Sequence, residues 1–110
     1  MLSHIPDLLQ GTLDLLILKS LAPAPLHGWA ISKRIQLMSS DVLTVNQGSL
    51  YPALYRLEDR GWIASKPALS PEGRRIKVYR LTAVGRRQLS HEIDAWRHFA
   101  RAIDHVVAAT

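Results

Sequence analysis

Apolar residues recur along the first half of the chain with the spacing of α-helices. The segment from Leu8 to Leu21 predicts a first helix, with one apolar stripe formed by Leu9, Leu13, Leu16 and Ile17. Leu15 and Leu18 lie off this stripe, so the helix is apolar nearly all round and must be covered on several sides. A small chain has few elements for that purpose, which favours contact with a second subunit.

A second helix is predicted from Trp29 to Ser39, after the loop sequence APAPLHG. Its polar face carries Lys33 and Gln36. Its core positions are Ile31, Ile35 and Met38. The VLTV segment that follows, residues 42–45, is rich in β-branched residues and predicts a short strand.

The stretch NQGSLYPALYRLEDRGWI, residues 46–63, predicts a third helix that ends before Gly61. One face carries the core residues Leu50, Leu54 and Leu57, and the opposite face carries Gly48, Pro52, Tyr55, Arg56 and Asp59, with Ser49 and Tyr51 on its flanks. A helix start near Ser49 would place Pro52 in or close to the first turn, where a missing N–H costs little. A start at Asn46 predicts instead that Pro52 bends the helix.

Two strands are predicted next, from Trp62 to Leu69 and from Arg75 to Leu81. Between them, SPEG at residues 70–73 has the serine, proline and glycine positions of a type I turn. The two strands therefore form a hairpin with a basic second arm, and Pro67 predicts that the first arm is an edge strand.

The remainder of the chain predicts one long helix, capped by Thr82 and extending to about Ala108. At ~1.5 Å per residue it is on the order of 40 Å long, more than a domain of this size can cover. Apolar residues follow steps of four and three, as in a coiled coil, and form a seam of Leu89, Ile93, Trp96, Ala100, Ile103 and Val107. We expect this seam to form a homodimer interface; the alternative is packing on its own domain alone.

The order helix, helix, helix, hairpin, long helix predicts a winged helix-turn-helix, a mainly α fold with a small β-hairpin. We expect residues 1–81 to form a DNA-binding domain and residues 82–110 to form a dimerisation helix, within one compact unit. In such folds the third helix lies in the DNA major groove, with its N-terminal residues nearest the base edges.

The distribution of charge along the chain indicates which class of partner the protein binds. The net charge of the 110 residues is +5, and the segment from Arg56 to Arg87 contains nine basic and three acidic residues. A basic concentration of this kind favours a polyanion. The candidate DNA contacts on the predicted helices are Gln47, Ser49, Tyr51, Pro52, Tyr55, Arg56 and Lys33, with Arg34 beside Lys33. Those on the hairpin are Arg74, Arg75 and Lys77, which we expect along the backbone or in the minor groove.

Composition excludes several other classes of function. The chain has no cysteine, which excludes disulfides, cysteine-based zinc sites and thiol nucleophiles. No nucleophile–base pair, paired carboxylates or glycine-rich phosphate loop is present, so we expect neither an enzyme nor a cofactor. His91, His98 and His105 are spaced by seven along the last helix, with roughly 10 Å between neighbours, too far apart to share a metal ion. Neither a signal peptide nor a membrane span is visible, and we expect a cytoplasmic protein.

Four segments occur in a characteristic order: GTLDLLILKSLA, HGWAISKRI, GSLYPALYRLEDRGWI and RRIKVYRLTAVGRR. With them the chain resembles PadR-type transcriptional regulators over nearly its whole length. The resemblance implies a dimeric winged-helix DNA-binding protein, usually a repressor, of the short subfamily with one C-terminal helix. It places Ser49, Tyr51 and Pro52 on the recognition-helix signature, and Arg74 and its basic neighbours on the wing.

Two further hypotheses remain open at this point. Some PadR-type regulators bind flat apolar ligands at the dimer interface against a tryptophan of the last helix, and Trp96 matches that position; it can equally be a plain interface residue. A winged helix can also serve as a protein-interaction module without specific DNA binding.

Overall fold

Four helices and five strands form the part of the chain that the computed structural model describes, residues 3–4 and 10–110. The helices are α1 (Gln10–Leu21), α2 (Gly28–Met38), α3 (Gln47–Asp59) and α4 (Ala83–Ala108). The strands are β1 (Ser3–His4), β2 (Leu26–His27), β3 (Leu43–Thr44), β4 (Ile63–Leu69) and β5 (Arg75–Leu81). This order confirms the predicted winged helix with a C-terminal helix. The predicted first helix began at Leu8; Leu8 and Leu9 lie outside the described residues.

The hairpin strands belong to a three-stranded antiparallel sheet in the order β2-β5-β4. The register pairs Ile63 with Leu81 and Leu69 with Arg75, and the short β2 pairs with the middle of β5. β4 is an edge strand, as Pro67 predicted. β1 and β3 form a separate parallel pair, so the short strand predicted within residues 42–45 is present and has a partner near the N-terminus.

The hairpin turn has the hydrogen bonds that its sequence predicts. The Gly73 N–H donates to the Ser70 carbonyl at 2.9 Å, and the Ser70 N–H donates to the Arg74 carbonyl at 2.9 Å. Gly73 has φ +81°, the left-handed conformation that follows a type I turn in three-residue hairpin loops. The β4–β5 hairpin is the wing of the winged helix. The turn therefore places the basic residues that begin β5 at the tip of this wing.

The core lies between the helices and the sheet. Leu50, Leu54 and Leu57 are fully buried, as are Ile31 and Ile35. Met38 was predicted to be a core residue and this is wrong: it is the last residue of α2 and 48% exposed, because the chain turns away immediately after it. α1 is apolar on several sides, as expected, and its own chain already buries Leu18.

The bounds of α3 decide how Pro52 is placed. Asn46 is the N-cap, and its Oδ1 accepts a hydrogen bond from the Ser49 N–H at 2.8 Å. Pro52 is therefore the sixth residue of the helix. The start near Ser49, which would have placed it in or close to the first turn, is not observed, and bending of the helix at Pro52 stays a prediction. Pro52 withholds the hydrogen bond that position 52 would donate to the Gly48 carbonyl. Gly61, with φ +78°, ends the helix as predicted.

α4 is fixed to the winged helix at its start and extends away from it at its end. The Thr82 hydroxyl accepts from the Gly85 N–H at 3.0 Å and donates to the carbonyls of Gly61 and Trp62. A Cβ at Gly85 would lie 1.9 Å from the Trp62 carbonyl oxygen, so only glycine allows this approach. The 26-residue helix gives the described molecule extents of 58 × 33 × 22 Å.

Candidate nucleic-acid interface

A groove of about 880 Å³ lies between α3, the wing and the start of α2. We refer to it as the groove. Its principal lining residues are Trp29, Gln47, Tyr51, Tyr55, Glu58, Arg74, Arg75, Lys77 and Tyr79. The groove combines aromatic side chains from the helices with basic side chains from the hairpin, and these two sets come from segments far apart in the sequence.

The exposed face of α3 forms one wall of the groove. Gln47 is exposed in the first turn, while Tyr51 and Tyr55 are 45% and 76% exposed. The leucines of the same helix are buried behind them, so the helix separates core and surface residues as its pattern predicts. Pro52 is exposed on α3 without lining the groove, and Ser49 is half-buried.

The wing forms the opposite wall. Arg74, Arg75 and Lys77 are all exposed and line the groove. Glu58 and Glu72 also line the groove. The Glu58 carboxylate accepts a hydrogen bond from the Ser65 hydroxyl at 2.5 Å. Cations projecting from a hairpin beside an exposed helix face suit a phosphate backbone that runs along the groove.

The floor of the groove contains Tyr79, a residue of β5 that is only 6% exposed. Burial raises the pKa of the Tyr79 hydroxyl, and the nearby Glu58 carboxylate and Tyr51 hydroxyl raise it further. Tyr79 therefore stays a neutral phenol and brings no negative charge into the groove.

Trp29 is a groove residue that was not predicted from the sequence. Its ring is 55% exposed, stacks on His27 with 6.2 Å between ring centroids, and has Lys33 Nζ 5.5 Å from its centroid. Lys33 itself is exposed beside the groove and does not line it. The only indication of this role in the sequence was a large aromatic residue directly after His27 and Gly28, at a predicted helix start.

Arg56 differs from its predicted orientation. Its Nη2 donates to Asp14 Oδ1 of α1 at 2.6 Å, and the Arg60 guanidinium lies 3.9 Å from the other carboxylate oxygen. Burial raises the pKa of Asp14, and the hydrogen bond and charge of Arg56 oppose that rise. Arg56 was expected to face outwards opposite the leucines; instead it joins α3 to α1, because a buried carboxylate requires a cationic partner.

A second, apolar surface lies on α1 and α4. This surface contains a cavity of about 250 Å³, which we refer to as the apolar cavity. It is lined by Leu15, Trp96 and Phe99 together with Gly11, Thr12, Glu92 and Ala95. Along the predicted seam, Leu89 is buried and Ile93 half-buried, whereas Trp96, Ile103 and Val107 are 42%, 44% and 78% exposed. Phe99, which was not predicted, is 52% exposed and its ring centroid lies 6.1 Å from that of Trp96.

Neither a metal centre nor a membrane segment is found in residues 3–4 and 10–110. The three histidines of α4 are exposed, as predicted, and no cluster of potential ligands in this part of the chain could hold a metal ion. None of its helices combines the length and the apolar character that a membrane crossing requires.

Comparison with known proteins identifies the group to which the chain belongs. The model of the transcriptional regulator PadR-like family matches residues 17–91. The chain is a member of the PadR-like family of transcriptional regulators. This family consists of regulators of transcription and not of enzymes, which confirms the expectation that this protein is not an enzyme. Of the four segments that carry the resemblance, the last three lie within the matched residues, and the first, residues 11–22, overlaps them from residue 17 onwards.

Individual relatives agree with this assignment. Transcriptional regulator Rv3488 of Mycobacterium tuberculosis is 35% identical over 87 residues, which are 79% of this chain and 78% of that protein. A transcriptional regulator from Clostridium thermocellum has a similar structure, with a TM-score of 0.82, 27% identity and coverage of 91% of this chain and 97% of its own. A PadR family regulator from Eggerthella lenta has a TM-score of 0.77, 28% identity and coverage of 94% and 88%.

Proposed function

We propose that this PadR-like regulator is a cytoplasmic, homodimeric repressor that binds an inverted repeat in double-stranded DNA. Residues 1–81 are the DNA-binding part, and residues 82–110 are the dimerisation helix. The observation that carries the proposal is the groove, because the exposed face of α3 and the cations of the wing converge there.

Within this proposal, the start of α3 enters the major groove of DNA. Gln47 and Ser49 hydrogen-bond base edges or phosphates, and the hydroxyls of Tyr51 and Tyr55 donate to phosphate oxygens. Pro52 contributes an exposed, flat surface without an N–H. Arg56 is omitted from the interface because it is paired with Asp14.

The wing and Lys33 supply the electrostatic part of the interface. Arg74, Arg75 and Lys77 neutralise phosphates along the backbone, or enter the minor groove where the potential is most negative. Lys33, which is exposed with its Nζ 5.5 Å from the Trp29 ring centroid, adds a cation beside the groove. These contacts raise the affinity for every sequence, whereas Gln47 and Ser49 select among sequences.

The proposed dimer uses the distal part of α4. A single chain leaves Trp96, Phe99, Ile103 and Val107 between 42% and 78% exposed, and such apolar surface is typical of a protein interface. The half-buried Ala100 lies between them on the seam. The buried Leu89 and half-buried Ile93 at the start of the seam pack instead on their own chain, so the interface begins near Trp96.

Selection of bound duplexes from a random DNA library tests the proposal. A dimer with one recognition helix per subunit is expected to enrich two half-sites in inverted orientation, with centres about 34–36 Å apart along the duplex. A library that yields no inverted repeat would reject sequence-specific binding by a symmetric dimer. It would favour the alternative, a protein-interaction module on the same scaffold.

The apolar cavity supports a second proposal, that an apolar aromatic ligand relieves repression. Trp96 and Phe99 line this cavity beside the proposed interface, where a flat ligand can stack on Trp96. The test follows the fluorescence of Trp96 during titration with flat aromatic compounds, both neutral and cationic, in a protein with Trp29→Phe and Trp62→Phe. Quenching together with loss of DNA binding supports the proposal; unchanged emission at millimolar ligand rejects it.

A further inference from the structure

The start of α2 touches α3 at a position where a side chain would collide with the Tyr51 ring as it is placed. Gly28 is the first residue of α2 and is buried. A Cβ atom at position 28 would lie 2.7 Å from Tyr51 Oη and 3.1 Å from both Cε1 and Cζ of the same ring. The end of the Tyr51 side chain therefore occupies the space that any larger residue at position 28 would need.

The backbone of Gly28 gives no other reason for glycine. Its φ lies outside the positive range, which among the glycines is occupied by Gly61 and Gly73. Alanine can adopt this conformation and has the higher helix propensity. The feature that requires glycine at position 28 is thus the space taken by Tyr51.

We infer that Gly28 is a positioning residue for DNA binding, which seats the Tyr51 hydroxyl at the junction of α2, α3 and the wing. This inference rests on the proposed function and adds a residue to it. Tyr51 is 45% exposed and lies in the groove close enough to Tyr79 to affect the pKa of that phenol. From this seat the hydroxyl lies against the first residue of α2, in the groove that the cations of the wing also line, and it can donate to a phosphate bound there.

A methyl group at position 28 would displace the Tyr51 ring and would not displace the backbone. The nearest atoms to a Cβ at position 28 are at the free end of one rotatable side chain. A methyl group there is accommodated by rotation of Tyr51 out of its seat, with little loss of folding stability. The hydrogen bond from the Tyr51 hydroxyl to phosphate is lost, and such charge-assisted bonds contribute about tenfold or more to an equilibrium constant.

The test is a double-mutant cycle in the full-length protein with a selected duplex, followed by fluorescence anisotropy. Gly28→Ala is expected to weaken binding at least about tenfold and to leave the thermal midpoint unchanged or higher. In a Tyr51→Ala background, Gly28→Ala is expected to have no further effect, because the obstructed ring is absent. The matched control is Tyr55→Ala, one helical turn further along α3, in which Gly28→Ala is expected to keep its full effect.

A second measurement follows the ring itself without DNA. The chain has three tyrosines, so their ring resonances can be assigned by single replacement. Gly28→Ala is expected to shift the resonances of Tyr51 and to leave those of Tyr55 in place. If Gly28→Ala does not fold, recovery of the fold in Gly28→Ala/Tyr51→Ala supports the contact, and continued unfolding overturns it.

Three results of the DNA-binding measurements would overturn the inference. An affinity of Gly28→Ala within about twofold of the unchanged protein means that the seat of Tyr51 has no role in binding. Loss of affinity that persists in the Tyr51→Ala background means that the methyl group obstructs DNA directly. Failure of the unchanged protein to bind any duplex rejects the proposed function itself, and the inference with it, whereas the first two results leave the proposed function intact.

Discussion

The groove and the apolar surface of α4 are both exposed to solvent, but the groove carries basic side chains and the α4 surface carries apolar ones. The groove presents three cations of the wing beside the aromatic rings of α3. The α4 surface presents Trp96, Phe99 and Ile103, and the residues that line the apolar cavity include no residue of the groove. Exposed apolar surface favours a protein partner, and concentrated positive charge favours a polyanion. The difference supports the proposal that the two surfaces bind two different kinds of partner.

The largest expected effect comes from a charge placed in the seam. Ile103→Asp is expected to convert the dimer to monomers, because a carboxylate in an apolar interface costs on the order of 3–5 kcal/mol. Sizing with light scattering measures the mass. The control is His98→Asp, which introduces the same side chain at an exposed position of α4 off the seam and is expected to stay dimeric. A dimer that survives Ile103→Asp would remove α4 from the interface.

An intermediate effect is expected at Arg56, the cation that the structure separates from the groove. Arg56→Ala is expected to lower the free energy of unfolding by about 1–3 kcal/mol, because it removes the closest donor to the buried Asp14 carboxylate. Urea denaturation measures this change.

Arg60→Ala is the control for Arg56→Ala. Arg60 lies 3.9 Å from Asp14 with a more exposed side chain, and its replacement is expected to cost less than about 1 kcal/mol. If Arg56→Ala leaves the stability unchanged and instead weakens DNA binding, Arg56 belongs with the groove after all.

An effect of similar size, but confined to sequence preference at one base pair, is expected at Gln47. Replacement of Gln47 by alanine is expected to reduce discrimination at one base pair of each half-site by about 1–3 kcal/mol. Competition between single-base variants of the selected duplex measures this. Lys33→Ala is the control, because loss of a phosphate contact is expected to weaken all of these duplexes alike. Unaltered preferences in Gln47→Ala would assign base contacts to other residues of α3.

The sequence predicted most of the fold because its strongest signals are local. The leucine stripe of α3, the Thr82 cap and the SPEG turn each depend on residues a few positions apart, and all three are confirmed. The position of Pro52 within α3 was harder to predict, because a shift of the helix start by a few residues changes the helical turn in which Pro52 lies. The Asn46 cap decides that start.

The features that were not predicted depend on contacts between distant segments. Arg56 pairs with Asp14, 42 positions away, and helical projection gives the direction of a Cβ atom but not where a long side chain ends. Trp29 comes to line the groove only because β2 pairs with β5 and brings the start of α2 to the wing. The contact between Gly28 and Tyr51 is of the same kind.

The salt dependence of duplex binding tests the central claim most directly, that the groove binds DNA through the cations of the wing. Affinity of the unchanged protein is compared with that of Arg74→Ala/Arg75→Ala/Lys77→Ala over a range of salt concentrations. We predict a steep decline for the unchanged protein, and a log–log slope that is shallower by about 0.9 for each phosphate contact removed. Equal slopes for the two proteins, or a flat response in both, would contradict the account.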